Sequence, residues 1–202
     1  MPGVSAILTA AGLSTRMGRN KSILPWMGET LIEYQIRCLT EGGASEVVVV
    51  LGHRADSIRE LVNGPRVSWV YNGDFRQGRT SSILKGLEAI AYDADNILLL
   101  GVDQPRSRDI VSRIISTHVG AKALITSPRY QGQGGHPLVF SKDLLRELRT
   151  LTEGSEGLRQ VFRNHRTEVR EVEFEDPIIR LDLNTAEDYQ LAFRHYGSDT
   201  KS

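Results

Sequence analysis

The sequence has a single cysteine, Cys38, and no excess of charge of either sign. One cysteine excludes an intrachain disulfide and a metal site of clustered thiolates, and its helical spacing with Leu31 and Tyr34 predicts a buried position. The 25 basic residues are balanced by 25 acidic ones. This balance argues against a general nucleic-acid binder, because such proteins carry a basic excess. Any attraction for an anionic ligand must therefore be local.

The sequence also lacks a long hydrophobic run and the pattern of a signal peptide. It therefore predicts no membrane span and a cytoplasmic protein. The 202 residues fit one large domain or two small ones, and no linker interrupts them. We expect a single domain over residues 1–196 and a polar, disordered tail over residues 197–202.

Short apolar runs alternate with amphipathic segments along the chain. Val47–Leu51 and Ile97–Val102 are apolar on both faces, which is typical of central parallel strands covered by helices on both sides. The order predicts a Rossmann-like, doubly wound α/β fold: a mostly parallel sheet in three α/β/α layers, with ligands beyond the carboxyl ends of the strands. The other predicted elements are strands at Val4–Leu8, Val67–Tyr71, Ala123–Thr126 and Pro137–Phe140, an edge strand at Glu168–Phe174, an extended segment at Ile178–Leu183, an exposed loop at Arg129–Gly135, and helices at Thr30–Leu39, Ala55–Val62, Ser81–Ala91, Arg108–His118, Lys142–Leu151, Gly157–Asn164 and Thr185–Tyr196.

The first predicted strand is followed by small residues and a polar turn that runs to Lys21. Gly12 and Gly18 allow a ligand to approach the backbone closely, and Arg16 and Lys21 add positive charge, so the turn predicts a polyphosphate site. The glycine spacing excludes a dinucleotide fingerprint. The spacing is close to that of a Walker A loop but does not match it. The P-loop interpretation stays open, because Asp103 could serve as a Walker B-like aspartate. The alternative is a solvated connection without a ligand.

Carboxylates follow two of the predicted strands. Asp103 lies just past Ile97–Val102, where it could bind Mg²⁺ through its oxygens or cap the following turn. Asp182 and Asn184 are two residues apart and would share one face of a strand, so they could complete such a metal site. The alternative is that Asn184 or Thr185 only caps the last helix.

A fourth polar segment enters a helix through three hydroxyl residues. Gly78, Thr80, Ser81 and Ser82 could contact the base or ribose of a nucleotide. The alternative is that Thr80 or Ser81 serves only as the N-cap of the helix.

With these motifs placed, the chain resembles the molybdenum cofactor nucleotidyltransferases, a family of NTP transferases with a Gly-rich N-terminal loop. Within this family, the chain resembles the cytidylyltransferase branch, and the resemblance covers nearly the whole chain. The motifs that carry it are Leu8 to Gly18 with Lys21 and Leu24-Pro25-Trp26, Asp74 with Gln77-Gly78 and Ser81-Ser82, Asp103-Gln104-Pro105, Gly135-His136-Pro137, and Asp182-Leu183-Asn184-Thr185 with Glu187-Asp188.

The resemblance implies an NTP-transferase domain with a nucleotide-diphospho-sugar transferase-like fold. It assigns nucleotide contacts to the backbone around Ala10, Ala11, Gly12 and Leu13, and catalytic contacts with the phosphates to Arg16 and Lys21. It assigns Mg²⁺, with Mn²⁺ as an alternative, to Asp103 with Asp182 or Asn184. The acceptor would meet Gly135, His136 and Pro137.

The implied reaction is the transfer of CMP from CTP to the terminal phosphate of molybdopterin, with release of pyrophosphate. A molybdenum hydroxylase would receive the product. Ala11 supports CTP, since the guanylyltransferase branch has glycine at this position. The alternatives are GTP or another phosphorylated acceptor on the same fold, and a nucleotide-binding module that delivers the cofactor without turnover.

Overall fold

The computed structural model describes residues 3–91, 93–152, 154 and 156–198, apart from the side chain of Arg16. Strands in this part of the chain are β1 (Val4–Ala10), β2 (Pro25–Trp26), β3 (Glu29–Thr30), β4 (Glu46–Leu51), β5 (Val67–Tyr71), β6 (Asn96–Gly101), β7 (Ile125–Tyr130), β8 (Gln133–Gly134), β9 (Leu138–Ser141) and β10 (Val169–Glu173). Its α-helices are α1 (Leu31–Glu41), α2 (Arg79–Ala89), α3 (Arg108–Ala121), α4 (Leu145–Leu148), α5 (Leu158–Asn164) and α6 (Ala186–Ala192). None of the helices in the described ranges has the length and apolar character needed to cross a bilayer.

The main sheet is mostly parallel. Its strands lie in the order β10-β7-β9-β6-β1-β4-β5, with β8 paired to β7 outside this path. β1 runs parallel to β4 and β6, β4 to β5, and β7 to β10, whereas β9 is antiparallel to both of its neighbours. The predicted α/β class and the edge position of the strand near Val169 are confirmed.

Helices cover both faces of the sheet, as the residues of β1 show. Ala6 and Leu8 belong to a core that includes α1 and α3, and Ile7 belongs to a second core that includes α2. Successive residues of a strand point to opposite faces, so one buried strand supplies both cores. Cys38 lies in the first core with 2% of its surface exposed, which confirms its predicted burial.

The segment between Lys21 and α1 is anchored by a hairpin that the sequence reasoning did not predict. β2 and β3 pair as an antiparallel hairpin, and its Trp26 is fully buried against the rings of Tyr34 and Phe193. α1 then begins with a capping box, in which Thr30 Oγ1 accepts from the N–H of Glu33 and the Glu33 carboxylate accepts from the N–H of Thr30. The hairpin and the cap fix the carboxyl end of the glycine-containing turn to the body of the protein.

Two predicted helices form only in part. Residues 55–62 form two 3₁₀ turns, Ala55–Ser57 and Arg59–Leu61, closed by i to i+3 hydrogen bonds such as Ile58 N–H to Ala55 O. The segment expected as a helix at Lys142–Leu151 forms one 3₁₀ turn and the four-residue α4.

The predicted exposed loop at residues 129–135 is instead a β-hairpin. β7 continues to Tyr130, and a two-residue turn at Gln131 and Gly132 leads into β8. Both turn residues have positive φ, 49° and 73°. This geometry matches the twist of paired strands, which explains the hairpin.

The prediction of an extended strand at residues 178–183 is also wrong. Asp176 accepts a hydrogen bond from the N–H of Ile178 and starts a 3₁₀ turn over Pro177–Arg180, after which the chain has no strand partner. The last helix passes into a turn, Phe193–Gly197, that leaves Gly197 buried, so the expected tail boundary falls inside this turn. Residues 199–202 of the expected tail lie outside the described residues.

Candidate functional site

A cleft of about 330 Å³ lies at the carboxyl ends of the central strands β1 and β6. These ends are adjacent in the sheet, since Thr9 of β1 pairs with Gly101 of β6. The cleft is lined by Thr9, Ala10, Ala11, Gly12, Ser14, Asn20, Lys21, Ser22, Phe75, Gly78, Arg79, Ser82, Val102, Asp103, Gln104, Asp182 and Asn184. Residues from all four polar segments singled out in the sequence therefore meet in one place.

The turn after β1 lies in this cleft with its backbone accessible. Gly12 has no heavy atom within 4 Å of the position where a Cβ would stand, whereas Leu13 is exposed outside the cleft lining. Ser14 and Gly18 have φ of 52° and 64°, so the chain curls back on itself on either side of a 3₁₀ turn. Such a curled backbone presents N–H groups to an anion.

The position of Ala11 is fixed by close packing and by a backbone hydrogen bond. It has 3% of its surface exposed, and a Cβ on Gly52 would come within 2.8 Å of the Cβ and the carbonyl oxygen of Ala11 and of the Cβ of Phe75. The N–H of His53 donates to the Ala11 carbonyl at 3.2 Å. Because Gly52 has no side chain, the start of the glycine-containing turn at Ala11 can pack closely against the residue that follows β4.

Two oppositely charged side chains meet in the cleft. Lys21 Nζ lies 2.9 Å from Oδ2 of Asp103, and the two side chains are 13% and 32% exposed. The Lys21 backbone N–H donates to Ser14 Oγ at 3.4 Å, and Asn20 caps the short turn that begins at Lys21. The structure describes the backbone of Arg16 in the preceding turn, and its side chain lies outside the described part of the chain.

Gln104 connects the two carboxylate-bearing segments and was not assigned a role from the sequence. Its Nε2 donates to Oδ1 of Asp182 at 2.7 Å, and its Oε1 accepts from the N–H of Gly101 at 2.9 Å. Leu183 N–H donates to the carbonyl of Asp103 at 2.8 Å. These bonds place Asp182 beside Asp103 without the strand that the sequence reasoning had assumed.

The oxygen ligands expected for a metal are present in the cleft. Asp103 and Asp182 supply carboxylates and Asn184 an amide oxygen, and Asn184 N–H donates to the Asp182 carbonyl at 3.0 Å in a tight turn. No group of three or more His, Cys, Asp and Glu suited to a metal occurs among the described residues. Mg²⁺ does not require one, because it often binds one or two carboxylates together with substrate phosphates. The donor set therefore fits Mg²⁺ or Mn²⁺ that is completed by a polyphosphate.

The residues at the start of α2 lie in different surroundings. Gly78 and Ser82 line the cleft, whereas Ser81 Oγ lies within hydrogen-bond distance of two backbone carbonyls, 2.9 Å from Gly78 O and 3.1 Å from Asp74 O. Asn72 Nδ2 donates to both Ser81 Oγ and Ser82 Oγ at 3.0 and 3.1 Å. Ser81 thus shapes the loop and does not line the cleft. Thr80 lines a second cavity.

The Gly135-His136-Pro137 segment is not part of the first cleft. Gly135 is pressed against the carbonyl of Ile179, 2.2 Å from where a Cβ would stand, and the N–H of His136 donates to the same carbonyl at 2.9 Å. The His136–Pro137 peptide bond is cis. His136 lines the second cavity, of about 740 Å³. Burial, together with the charges of Arg79 and Arg106, lowers the pKa of His136 to about 3.

Arg106 was missed by the sequence reasoning, although it directly follows the Asp103-Gln104-Pro105 motif. It is completely buried, and within the described part of the chain its guanidinium donates to backbone carbonyls alone, those of Pro105, His136, Ile179 and Leu181. Burial lowers its pKa, and the charges of Asp182 and Asp103 oppose this shift. Through these hydrogen bonds, Arg106 connects the His136 segment to the segment that carries Asp182.

Comparison with known proteins gives consistent matches over most of the chain. A family model described as a MobA-like NTP transferase domain matches residues 6–169. Nicotine blue oxidoreductase from Paenarthrobacter nicotinovorans is 33% identical over 93% of this chain and 95% of that protein. Molybdenum cofactor cytidylyltransferase from Escherichia coli (strain K12) is 28% identical over 97% of this chain and 98% of that protein.

Solved structures agree with these sequence matches. The crystal structure of Rv0371c from Mycobacterium tuberculosis H37Rv has a TM-score of 0.83 and 27% identity, covering 95% of this chain and 97% of that one. The structure of the same protein in complex with manganese has a TM-score of 0.79 and 26% identity, covering 95% and 98%. The predicted fold is therefore confirmed by structures that are similar along almost their full length.

Proposed function

Because the chain belongs to the family of MobA-like NTP transferase domains and is a nucleotidyltransferase, we propose that it transfers CMP from CTP to molybdopterin. The observation that carries the proposal is the pairing of Lys21 with Asp103 in a cleft whose rim is the open backbone at Gly12. A lysine and an exposed backbone turn bind phosphates, and an adjacent carboxylate serves a metal that phosphates also bind.

The choice of CTP as donor is supported by Ala11. Ala11 lines the cleft and packs closely against Gly52, and a glycine at this position would leave more room for a purine. A methyl-sized difference discriminates between ligands by about 1–3 kcal/mol. The cytidylyltransferase from Escherichia coli, which matches nearly the whole chain, supports the same donor.

The chemistry follows from the charge of the acceptor. The second pKa of a phosphate monoester is about 6, so its terminal oxygen is already a nucleophile at neutral pH and needs no general base. That oxygen forms a bond to the α-phosphorus of CTP. The bond from this phosphorus to the bridging oxygen breaks, and pyrophosphate leaves with the electron pair.

The protein's own contribution is positioning and the balancing of charge. Lys21 and Arg16 would hold the phosphates in line, and Gly78 and Ser82 would contact the base or ribose from the start of α2. Asp103, Asp182 and Asn184 would hold Mg²⁺ or Mn²⁺, which when bound would neutralise charge on the phosphates. A cytoplasmic location and a molybdenum hydroxylase as recipient of the product are parts of the same proposal.

Release of pyrophosphate tests the donor and the acceptor together. The protein is incubated with molybdopterin and CTP, GTP, ATP or UTP, with Mg²⁺ or with a chelator, and pyrophosphate and inorganic phosphate are measured separately. We expect pyrophosphate with CTP and Mg²⁺ and much less with GTP. Release of inorganic phosphate alone would favour the P-loop interpretation, and nucleotide binding without any release would favour a delivery module.

A second candidate function comes from the 33% identical relative named nicotine blue oxidoreductase. The spacing of Gly12 and Gly18 in this chain lacks the dinucleotide fingerprint that many oxidoreductases carry, which favours nucleotidyl transfer. Incubation with nicotine blue and reduced nicotinamide cofactors separates the two candidates. We expect no change in the spectrum of nicotine blue, and bleaching would support the oxidoreductase.

A further inference from the structure

A second cavity, of about 740 Å³, adjoins the nucleotide cleft and lies between the start of α2 and α5. Arg79, the first residue of α2, lines both cavities. Cavities of this size hold small-molecule ligands of a few hundred daltons. A group bound at the junction would be close to the nucleotide phosphates and to the second cavity at once.

The charged side chains of this cavity favour an anion. Arg79 and Arg159 both line it, and among the described residues Arg159 forms no ion pair. Glu156 also lines the cavity, but its carboxylate is paired with Arg163. The two arginines therefore leave a net positive charge, which matches the ionised phosphate of a monoester.

The cavity lining also contains apolar side chains, among them an aromatic ring that packs against a second one. Phe162 is half-buried, and its ring packs edge-on against Phe140 with the centroids 5.9 Å apart. Ile83, Leu138 and Leu158 line the cavity beside it. A rigid aromatic ring among aliphatic side chains favours a flat ring on the ligand, since two rings attract each other beyond the burial of their area.

His136 provides a neutral polar group in the same wall. Its Nδ1 is buried without a hydrogen-bond partner, and its low pKa leaves the imidazole uncharged at neutral pH. A neutral imidazole offers one hydrogen-bond donor and one acceptor, which suits a heteroatom on a ligand ring. The backbone of this residue is fixed from both sides, because its carbonyl accepts from Arg106 and its N–H donates to Ile179.

We propose that this cavity is the acceptor subsite, and that Arg159 and Phe162 select a phosphorylated compound with a flat heteroaromatic ring. The inference rests on the proposed nucleotidyl transfer and deepens it, since it assigns two residues that the sequence motifs do not include. Arg159 binds the phosphate of the acceptor, Phe162 stacks on the ring, and Arg79 lies where the acceptor meets the nucleotide.

Binding of a fluorescent probe tests the subsite without any turnover. The probe is 6-(hydroxymethyl)pterin monophosphate, and the unphosphorylated pterin and inorganic phosphate serve as comparison ligands. The variants are Arg159→Gln and Phe162→Leu, with Arg146→Gln as the matched control, because Arg146 is an exposed arginine on the neighbouring helix α4 and does not line the cavity. CTP binding and thermal unfolding are measured for every variant.

The two variants are expected to differ in a way that a general loss of structure does not reproduce. Arg159→Gln weakens the phosphorylated pterin about tenfold and leaves the unphosphorylated pterin unchanged, since it removes one charge-assisted contact. Phe162→Leu weakens both pterins. Arg146→Gln behaves as the wild type, and CTP binding is the same in all four proteins.

The subsite is overturned if the wild type binds neither pterin, if CTP displaces the probe completely, or if both variants bind the probe as the wild type does. Its failure is distinguishable from that of the proposed transfer. Pyrophosphate release with unchanged probe binding in the variants refutes the subsite alone. Altered probe binding without pyrophosphate release from any nucleotide refutes the transfer alone.

Discussion

Lys21 Nζ and Asp103 Oδ2 lie 2.9 Å apart, although 82 residues separate them in the chain. Lys21 follows the turn after β1, and Asp103 follows β6, the strand beside β1 in the sheet. The ammonium group is therefore held at the cleft by a carboxylate before any phosphate arrives. A side chain that is already positioned loses less conformational freedom when it binds a ligand.

Replacing Lys21 by alanine should remove activity with little loss of stability. We expect turnover to fall about 100-fold or more, since a charge that stabilises the transition state is lost. The free energy of unfolding should change by less than about 1 kcal/mol, because the Asp103 carboxylate that remains is still partly in contact with water. Pyrophosphate release and urea unfolding measure the two quantities.

Lys85→Ala is the matched control, since it removes a lysine from an exposed ion pair with Glu88 on α2. It should leave both turnover and stability unchanged. A Lys21→Ala protein that turns over as the wild type would exclude the role we give to Lys21.

Gly52 should not tolerate a side chain. Alanine at this position would place its Cβ 2.8 Å from Ala11 and Phe75, so the turn after β1 must shift. We expect a loss of about 1–3 kcal/mol in stability and a weaker affinity for CTP. Gly120→Ala on α3 is the control, because nothing lies within 4 Å of its added methyl, and it should be neutral or slightly stabilising. Unchanged CTP affinity in Gly52→Ala would show that the turn does not depend on this contact.

The central strands could be predicted from the sequence because their signal is local. Val47–Leu51 and Ile97–Val102 are continuous apolar runs, and the structure has strands at Glu46–Leu51 and Asn96–Gly101. Where the prediction failed, distant contacts decide the structure. Residues 181–184 are held by hydrogen bonds from Gln104 and to Asp103, which no local pattern of apolar residues reveals.

The motifs at Lys21 and Asp103 led to residues that the structure brings together in the cleft, and the roles given to these residues stay predictions. Site residues were missed where a polar side chain acts by holding backbone in place. Gln35, fully buried on α1, donates to the carbonyls of Gly101 and Gln104 and accepts from the N–H of Arg106. In the sequence, Gln35 and Arg106 have the residue types of surface positions. Their burial and their hydrogen bonds in the structure show that they hold backbone segments in place.

Replacing Arg106 by methionine should destabilise the protein strongly. The change keeps much of the side chain's length but removes the Arg106 donor from the buried backbone carbonyls of His136, Ile179 and Leu181. Of these, the Ile179 carbonyl still accepts from the His136 N–H. We expect a loss of about 3 kcal/mol or more in the free energy of unfolding, measured in urea. The exposed Arg108 at the start of α3 provides the control, and Arg108→Met should change stability by less than about 0.5 kcal/mol. Equal stability of the two variants would mean that the hydrogen bonds of Arg106 contribute nothing net.

Stability should fall in mild acid because His118 is buried and uncharged. Its ring nitrogens lie 2.8 Å from Thr126 Oγ1 and 3.0 Å from Asn96 Oδ1, and burial lowers its pKa from 6.5 to about 4. Between these two values the unfolded chain binds a proton that the folded protein excludes. The free energy of unfolding therefore decreases by up to about 3 kcal/mol as the pH falls through this window. His136, whose pKa is lowered to about 3, adds a loss of the same sign that extends to lower pH.

Two variants separate this titration from a simple loss of packing. His118→Gln cannot take up the proton, so its free energy of unfolding should depend less steeply on pH between 6.5 and 4 than that of the wild type. Thr126→Val keeps the imidazole and removes one hydrogen-bond partner, so it should lower stability at every pH and keep the slope. Urea unfolding at a series of pH values measures both. An unchanged slope in His118→Gln would show that other groups cause the acid sensitivity, since the proton uptake assigned to His118 would then be absent.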